Sequence, residues 1–208
     1  MPTNGHIISI YSSKGGVGKS FIAANLAVDL CLDTRGKILL LDFGQPFSNS
    51  VEYFLKLKDT KRMDHLLSMA DNLNPAMLRG FSTPHGSGIF TMKLADSLHP
   101  AGDNLCTPQR VGQVLDCLQS VYNFVIIDLG IKFGDVAETV CDKSSIILLP
   151  ATPEPLTLVQ TGNDLLLLRS RNFPKERISV IMNRGQNNRR QYRRGHAAFE
   201  KSRKPSFL

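Results

Sequence analysis

A glycine-rich segment near the amino terminus places the strongest constraint on the fold. Residues 13–20 read Ser-Lys-Gly-Gly-Val-Gly-Lys-Ser, between an apolar, β-rich run, His6–Tyr11, and a segment of helical periodicity, Ser20–Leu32. A phosphate-binding loop needs a strand that aims it, glycines that let backbone N–H groups face the anion, and a helix N-terminus behind it. The sequence supplies all three. We therefore interpret the segment as a phosphate loop rather than a glycine-rich turn that happens to contain lysine.

The residue types of this loop have separate chemical tasks. Lys19 is expected to reach the β- and γ-phosphates, and the Ser20 hydroxyl is expected to ligate Mg²⁺. Close approach of the backbone to the anion is assigned to Gly15, Gly16, Val17 and Gly18. The sequence thus predicts a nucleoside triphosphate bound with Mg²⁺. The chain has no Asn-Lys-x-Asp guanine signature, which favours ATP over GTP.

The rest of the chain alternates apolar runs with helical patterns, which predicts an α/β fold. Runs such as Phe124–Ile127 are apolar throughout, as in a parallel strand covered by helices on both faces. We predict one three-layer domain over residues 1–183, with a mostly parallel, doubly wound sheet. Strands are predicted at 6–11, 37–42, 124–128, 145–149 and 178–182, and residues 88–92 as a strand or half of a hairpin. Helices are predicted at 20–32, 50–57, 63–70, 74–79, 108–122, 135–141 and 156–169.

The loop also carries a lysine at its beginning. Ser13 stands where a phosphate loop usually has its first glycine, and the run from Lys14 to Ser20 resembles the deviant Walker A motif K-G-G-x-x-K-[ST] of the ParA/MinD family. This resemblance implies a P-loop ATPase that forms a nucleotide-sandwich dimer, in which Lys14 contacts the phosphates held by the partner. A cation supplied by a neighbour makes charge stabilisation of the triphosphate depend on dimerisation.

Two strand ends are similar to those of the same family. Leu39–Asp42 looks like its second strand, which implies that Asp42 lies near the metal and the attacking water. Phe124–Asp128 looks like its Walker B strand, which implies that Asp128 holds the hydration shell of Mg²⁺. An acid at the carboxyl end of a buried parallel strand also lies beside the crevice where such sheets bind ligands. For Asp128 a helix cap or turn residue is the alternative.

The last predicted strand leads into Asn183 and Arg184, where the family has an asparagine that contacts adenine. An amide suits this task because it donates and accepts hydrogen bonds at once. Asn183 as a plain turn residue is the alternative. With Phe21, which follows the loop, these residues complete the expected nucleotide contacts. The expected catalytic residues are Lys14, Lys19 and Asp42, and the expected metal ligands are Ser20, Asp42 and Asp128.

Within the family, the chain resembles the CpaE/TadZ branch, whose members help to place pilus or secretion machinery. The similarity rests on Leu41–Phe43, Pro46–Ser48, Ala151–Leu156 and Ile181–Arg184. It implies a role in the spatial positioning of a cellular machine, with plasmid or chromosome partition as the other family role. It also implies a protein partner belonging to that machinery.

One departure from the family concerns hydrolysis. Many members have Asp-x-Asp after the second strand, where the second acid helps to position the attacking water. Here Gly44 occupies that place, and neither Gln45 nor Asn49 is a base. We therefore predict slow hydrolysis, and the alternative is a non-hydrolysing scaffold that keeps ATP as a bound ligand.

Positive charge is concentrated in residues 184–208. This segment has eight Lys and Arg and one acid, whereas residues 1–183 have seventeen of each sign. Such a segment favours nonspecific DNA or an anionic membrane surface as a partner, and a solvated tail is the alternative. It is also where a final part of the domain would begin, because family members are longer. No secretion signal or apolar span is found, which predicts the cytoplasm, with peripheral placement at the membrane or a cell pole.

Two other functions known for this fold are not favoured. An iron–sulfur relative of the nitrogenase iron-protein type would need clustered cysteine ligands, and the four cysteines contain no C-x-x-C pair. A cluster ligand supplied by each half of a dimer is the alternative, with Cys106 as the candidate. A bacterial tyrosine kinase has a tyrosine-rich tail, and here only Tyr192 lies in the tail.

Overall fold

The three-dimensional structure, a computed structural model, describes residues 5–44, 49–78, 80–94 and 105–184. In this part of the chain seven strands form one sheet, in the order β3-β4-β2-β5-β1-β6-β7. The strands are β1 His6–Ile10, β2 Ile38–Phe43, β3 Thr83–Pro84, β4 Phe90–Lys93, β5 Phe124–Leu129, β6 Ile146–Ala151 and β7 Ile178–Met182. All neighbours are parallel except β3 and β4. The prediction of a mostly parallel α/β sheet is confirmed.

The strand that precedes the glycine loop lies at the centre of the sheet. His6 pairs with Phe124 of β5 on one side of β1, and Ile8 pairs with Ile146 of β6 on the other. The chain passes from β1 to β2 in one direction and from β5 to β6 in the other, so the strand order reverses beside β1. Open α/β sheets bind ligands in the crevice at the carboxyl ends of the strands, at such a reversal.

Helices cover both faces of the sheet and give the three predicted layers. Side chains on one face of the strands, such as Ile8 and Leu40, pack against α1 and α2. Those on the other face, such as Ile7 and Leu39, pack against the remaining helices. The helices are α1 Lys19–Thr34, α2 Ser50–Leu55, α3 Asp64–Ser68, α4 Pro108–Gln119, α5 Asp135–Lys143 and α6 Pro155–Ser170, with 3-10 turns at Ala70–Asn72, Pro75–Leu78 and Lys175–Arg177.

The helix α4 shows how local sequence sets an element. The Thr107 hydroxyl caps its N-terminus by accepting a hydrogen bond from the Arg110 N–H, and Pro108 occupies the first turn, where a missing N–H costs nothing. Its predicted apolar face is fully buried and comprises Val111, Val114, Leu115 and Leu118. Each such side chain contributes roughly 1.5–3 kcal/mol by leaving water.

Some details differ from the sequence-based expectations. The predicted helix at 74–79 is a 3-10 turn, Pro75–Leu78. The strand Thr83–Pro84 has no sequence pattern of its own, because two residues are too few to show alternation. It makes a short antiparallel pair with β4, which agrees with the hairpin alternative for residues 88–92. The basic segment lies outside the described residues except for Arg184, and so do Gln45 and Pro46–Ser48. No helix in the described ranges has both the length and the apolar character needed to cross a bilayer.

Candidate functional site

The glycine loop turns sharply between the end of β1 and the start of α1. Gly16 and Gly18 have φ angles of 77° and 93°, a backbone region that residues with a Cβ rarely adopt. Gly18 is the N-cap of α1, so the positive end of the helix dipole lies at the loop. Gly15 has open space where a Cβ would stand. The loop therefore has the backbone form that a phosphate-binding turn requires.

Asn183 closes the loop from the end of β7. Its Nδ2 donates to the Val17 carbonyl oxygen at 2.8 Å, and its Oδ1 accepts from the Arg184 N–H at 2.9 Å. A Cβ at Gly18 would lie 2.3 Å from Nδ2 of Asn183, so this contact is a second reason for glycine there. The Val17 side chain is buried, so Val17 serves the loop through its backbone.

The two lysines of the loop are joined through the backbone. Lys19 Nζ donates to the carbonyl oxygen of Lys14 at 3.1 Å, while the Lys14 side chain is exposed. Burial lowers the pKa of Lys19, and the negative charges of Asp128 and Asp164 oppose that shift. Lys19 is thus a partly desolvated cation beside the cleft, which favours its pairing with an anion.

Asp42 and Asp128 are the next-to-last residues of the neighbouring strands β2 and β5, and they are only 6% and 3% exposed. Burial, then the charge of Asp128, raises the pKa of Asp42 to about 7, although the Gly44 N–H donates to its Oδ1 at 2.7 Å. Burial raises the pKa of Asp128 to about 6, against the lowering effects of a hydrogen bond from Ser20 and the charge of Lys19. Both carboxyl groups hold protons more strongly than exposed aspartates do.

The carboxyl group of Asp128 is suited to hold a divalent cation. Its Oδ1 is buried and has no hydrogen-bond partner within the described structure. A buried, unpaired carboxylate oxygen is costly, and a metal ion or its water removes the cost. The Ser20 hydroxyl contacts the same carboxyl group. Oxygen ligands of this kind are those that Mg²⁺ prefers.

A cleft of about 380 Å³ lies over the loop and the ends of the strands. Phe21 and Phe54 form part of its wall, with ring centroids 5.6 Å apart, and Asp128 forms part of its base. Lys14, Asp42 and Asn183 are not among the lining residues. The lining residues are Gly15, Gly16, Gly18, Lys19, Ser20, Phe21, Gly44, Ser50, Phe54, Asp128, Leu129, Gly130, Ile131 and Arg184.

Two residues of α6 that contact the loop carry no motif by which the sequence predicts them. Asp164 is buried and accepts two hydrogen bonds from Ser13, and Gln160 donates a third to the Ser13 hydroxyl. The sequence signal was present but weak: Asp164 is an acid directly before four leucines. The wall residues Ser50, Phe54 and Ile131 were also missed, because no motif contains them.

These features define a P-loop nucleotide-binding domain: a central parallel strand leads into a glycine turn and a helix N-terminus, and two carboxyl groups lie beside them near the ends of the neighbouring strands. Residues 5–176 match the family model described as an AAA domain (AAA_31). The chain therefore belongs to this family and is a P-loop ATPase domain of the ParA/MinD type.

Individual relatives agree with this assignment. The chain is 26% identical over 156 residues to the septum site-determining protein MinD of Helicobacter pylori, which covers 73% of this chain and 54% of that protein. Across the matching curated relatives, the aligned part spans 54% to 64% of their length.

Solved structures show the same fold. A ParA family ATPase from Chlorobium tepidum superposes with a TM-score of 0.81 at 22% identity, covering 94% of this chain and 81% of that one. MinD of Pyrococcus horikoshii, solved with Mg-ADP, superposes with a TM-score of 0.70 at 21% identity, covering 94% and 77%.

Proposed function

We propose that this chain is an ATP-binding switch that dimerises on ATP, hydrolyses it slowly and takes part in the spatial positioning of a cellular machine. The observation that carries the proposal is the meeting of Lys19, Ser20 and the unpartnered Oδ1 of Asp128 beside a glycine turn. A cation, a hydroxyl and a carboxylate in this arrangement match a triphosphate and its divalent metal.

The loop and Lys19 bind the phosphates. The exposed backbone of Gly15 and Gly16 and the N-terminus of α1 face the anion. Lys19 exchanges its hydrogen bond to the Lys14 carbonyl for phosphate oxygens, which compensate its lost hydration. Ser20 and Asp128, with Asp42 near the hydration shell, would hold Mg²⁺. The metal, when bound, neutralises charge on the triphosphate.

Asn183 and Arg184 contact the adenine base. The amide of Asn183 uses one donor on Val17 and one acceptor on Arg184, which leaves one of each for adenine. The Arg184 residue lines the cleft. The Mg-ADP complex of the archaeal MinD supports an adenine nucleotide as the ligand.

Dimerisation is assigned to Lys14. Without nucleotide, its N–H donates to the Ser12 hydroxyl and its carbonyl accepts from Lys19 Nζ. The contact with Ser12 remains when Lys19 turns to the phosphates. Its side chain is exposed, so it is free to reach the phosphates of a second copy. In such an arrangement the triphosphate, with its γ-phosphate, favours the dimer more strongly than the diphosphate does.

The cellular role is proposed from relatives. Proteins similar to this chain include septum site-determining proteins, an antiactivator named FleN and a putative plasmid partition protein. We assign to this chain a protein partner in the machinery that it positions, and we keep the pilus or secretion branch as the first candidate. Its place would be the cytoplasm or the inner surface of the membrane.

The experiment that tests the switch is the solution mass with Mg-ATP, with Mg-ADP and without nucleotide. We expect a dimer only for the wild type with Mg-ATP. Lys14→Ala should bind ADP yet remain a monomer, and Lys19→Ala should lose nucleotide binding. The control is Lys37→Ala, which changes an exposed lysine away from the loop and should behave as wild type. A wild-type monomer under all conditions would contradict the switch.

A second candidate is a non-hydrolysing scaffold with ATP as a permanent ligand, which Gly44 at the place of the second acid favours. Single-turnover hydrolysis separates the two functions. Conversion of bound ATP by wild type but not by Lys14→Ala supports the switch, whereas ATP recovered intact from a stable complex supports the scaffold.

A further inference from the structure

A buried carboxyl group lies under the start of the phosphate loop. Asp164, on α6, is 3% exposed. Its Oδ2 accepts from the Ser13 N–H at 3.0 Å, and its Oδ1 accepts from the Ser13 hydroxyl at 2.6 Å. Gln160, one turn earlier on α6, donates to the same hydroxyl at 2.6 Å. Ser13 therefore makes three hydrogen bonds with α6, and its side chain also hydrogen-bonds with Tyr11.

These contacts match a carboxylate better than an amide. Ser13 presents two donors, and an ionised aspartate offers an acceptor on each oxygen, whereas asparagine would offer one acceptor and one donor. Hydrogen bonds to an ionised group are about twice as strong as neutral ones. A buried carboxylate such as that of Asp164 is costly unless other groups stabilise its charge. Here the donors of Ser13 do so, and the positive charge of Lys19 interacts with it as well.

The contact between Asp164 and Ser13 matters for nucleotide binding because of where Ser13 lies in the loop. Ser13 directly precedes Lys14, whose carbonyl oxygen holds Lys19 Nζ. The hydrogen bonds to Ser13 therefore hold the adjacent backbone of Lys14, and through the Lys14 carbonyl they also help to position the Lys19 side chain. Loops of this kind bind well when their donors are already oriented, because the ligand then does not have to order them.

We infer that Asp164 is a positioning residue of the nucleotide site, which orients the phosphate loop through Ser13 before nucleotide binds. The inference rests on the proposed function, since it needs nucleotide at this loop. It makes α6 part of the site, although no residue of α6 lines the cleft.

The test is a double-mutant cycle on the affinity for Mg-ADP, a ligand that requires neither dimerisation nor hydrolysis. Asp164→Asn should weaken binding by about tenfold or more, as expected for lost hydrogen bonds to a charged group. Ser13→Ala should weaken it less, because the backbone N–H remains. The two effects should be non-additive, since they remove one shared contact. Asp142→Asn, the same change at an exposed position on α5, should leave affinity unchanged.

The melting temperature of the nucleotide-free protein separates positioning from simple stability. Weaker ADP binding by Asp164→Asn at a temperature where the variant is fully folded supports positioning. A lower melting temperature with unchanged ADP affinity overturns it. If Asp164→Asn does not fold, Ser13→Ala decides, and unchanged affinity in that variant overturns the inference. Failure of the wild type to bind ADP would instead overturn the proposed function, and this inference with it.

Discussion

Asp42 and Asp128 are register partners at the carboxyl ends of two adjacent parallel strands, and both carboxyl groups are buried. Parallel pairing without a stagger brings the two acids to the same level of the sheet. The negative charge of Asp128 is the second cause, after burial, of the raised pKa of Asp42. The protein therefore keeps two carboxyl groups where neither ionises easily.

The first prediction concerns pH and metal. Because the pKa values of Asp42 and Asp128 are raised from 3.8 to about 7 and 6, the folded state holds more protons than the unfolded chain between these lower and upper values. Their contribution to the free energy of unfolding is present at low pH and is lost as pH rises through 6 and 7, on the order of 1.4 kcal/mol per pKa unit. Added Mg²⁺ should stabilise the protein more at pH 8 than at pH 5.5.

Thermal unfolding of wild type and Asp42→Asn at the two pH values, with and without Mg²⁺, checks this. Without metal at pH 8 the Asp42→Asn variant should be the more stable, since asparagine still accepts from the Gly44 N–H and carries no charge. Equal pH dependence of the two proteins would contradict the prediction.

The second prediction concerns the three glycines of the loop. Gly18→Ala should destabilise the fold most, because it combines a left-handed backbone with a clash against Asn183. Gly16→Ala should cost about 1–2 kcal/mol from its backbone alone, since its Cβ meets nothing. Gly15→Ala should stay within about 0.5 kcal/mol of wild type. Denaturant unfolding without nucleotide measures the series, and any other order would refute it.

The third prediction concerns the missing second acid. Gly44→Asp should raise the single-turnover rate of ATP hydrolysis by at least about tenfold, since a positioned carboxylate that accepts a proton contributes this much or more. Gly44→Asn is the matched control, because it adds a similar side chain that is not a base. If both variants match the slow wild type, water activation is not what limits the rate.

The fourth prediction concerns the basic segment. Replacing four of its arginines by glutamine should weaken binding to duplex DNA and reduce the salt dependence, because each phosphate contact contributes roughly −0.9 to the slope of log K against log salt. The four are Arg189, Arg190, Arg193 and Arg194.

The matched control removes four exposed basic side chains of the folded domain. They are Arg35, Lys37, Lys56 and Lys175. Filter binding and liposome sedimentation at low salt distinguish the two surfaces. The hypothesis fails if the arginine variant binds both DNA and liposomes as the wild type does.

Much of the fold could be predicted because its signals are local. The start of α1 lies one residue from the expected position, since Gly18 and the following helical pattern mark it. The last strand was predicted with its observed bounds, Ile178–Met182. A buried parallel strand reads as an unbroken apolar run, so β5 was also predicted to within one residue.

What the sequence did not reveal depends on contacts between distant residues. The hydrogen bonds from Ser13 to Asp164 span 151 positions, and the one from Asn183 to Val17 spans 166. No periodicity or spacing connects such pairs, because their proximity follows from the strand order. The role predicted for Asn183 toward adenine stays a prediction, whereas its contact with the loop could only be found in the structure.

The central position of β1 has a consequence for how the chain acquires its shape during synthesis. β1 pairs with a strand that emerges more than a hundred residues after it, as His6 with Phe124 shows. Contacts of such separation form slowly, and an early apolar strand without its neighbours is prone to aggregate. The glycine turn is synthesised before α6 and the residue that follows β7, which supply its contacts with Asp164 and Asn183. The loop therefore cannot gain these contacts until more than 150 further residues have been made.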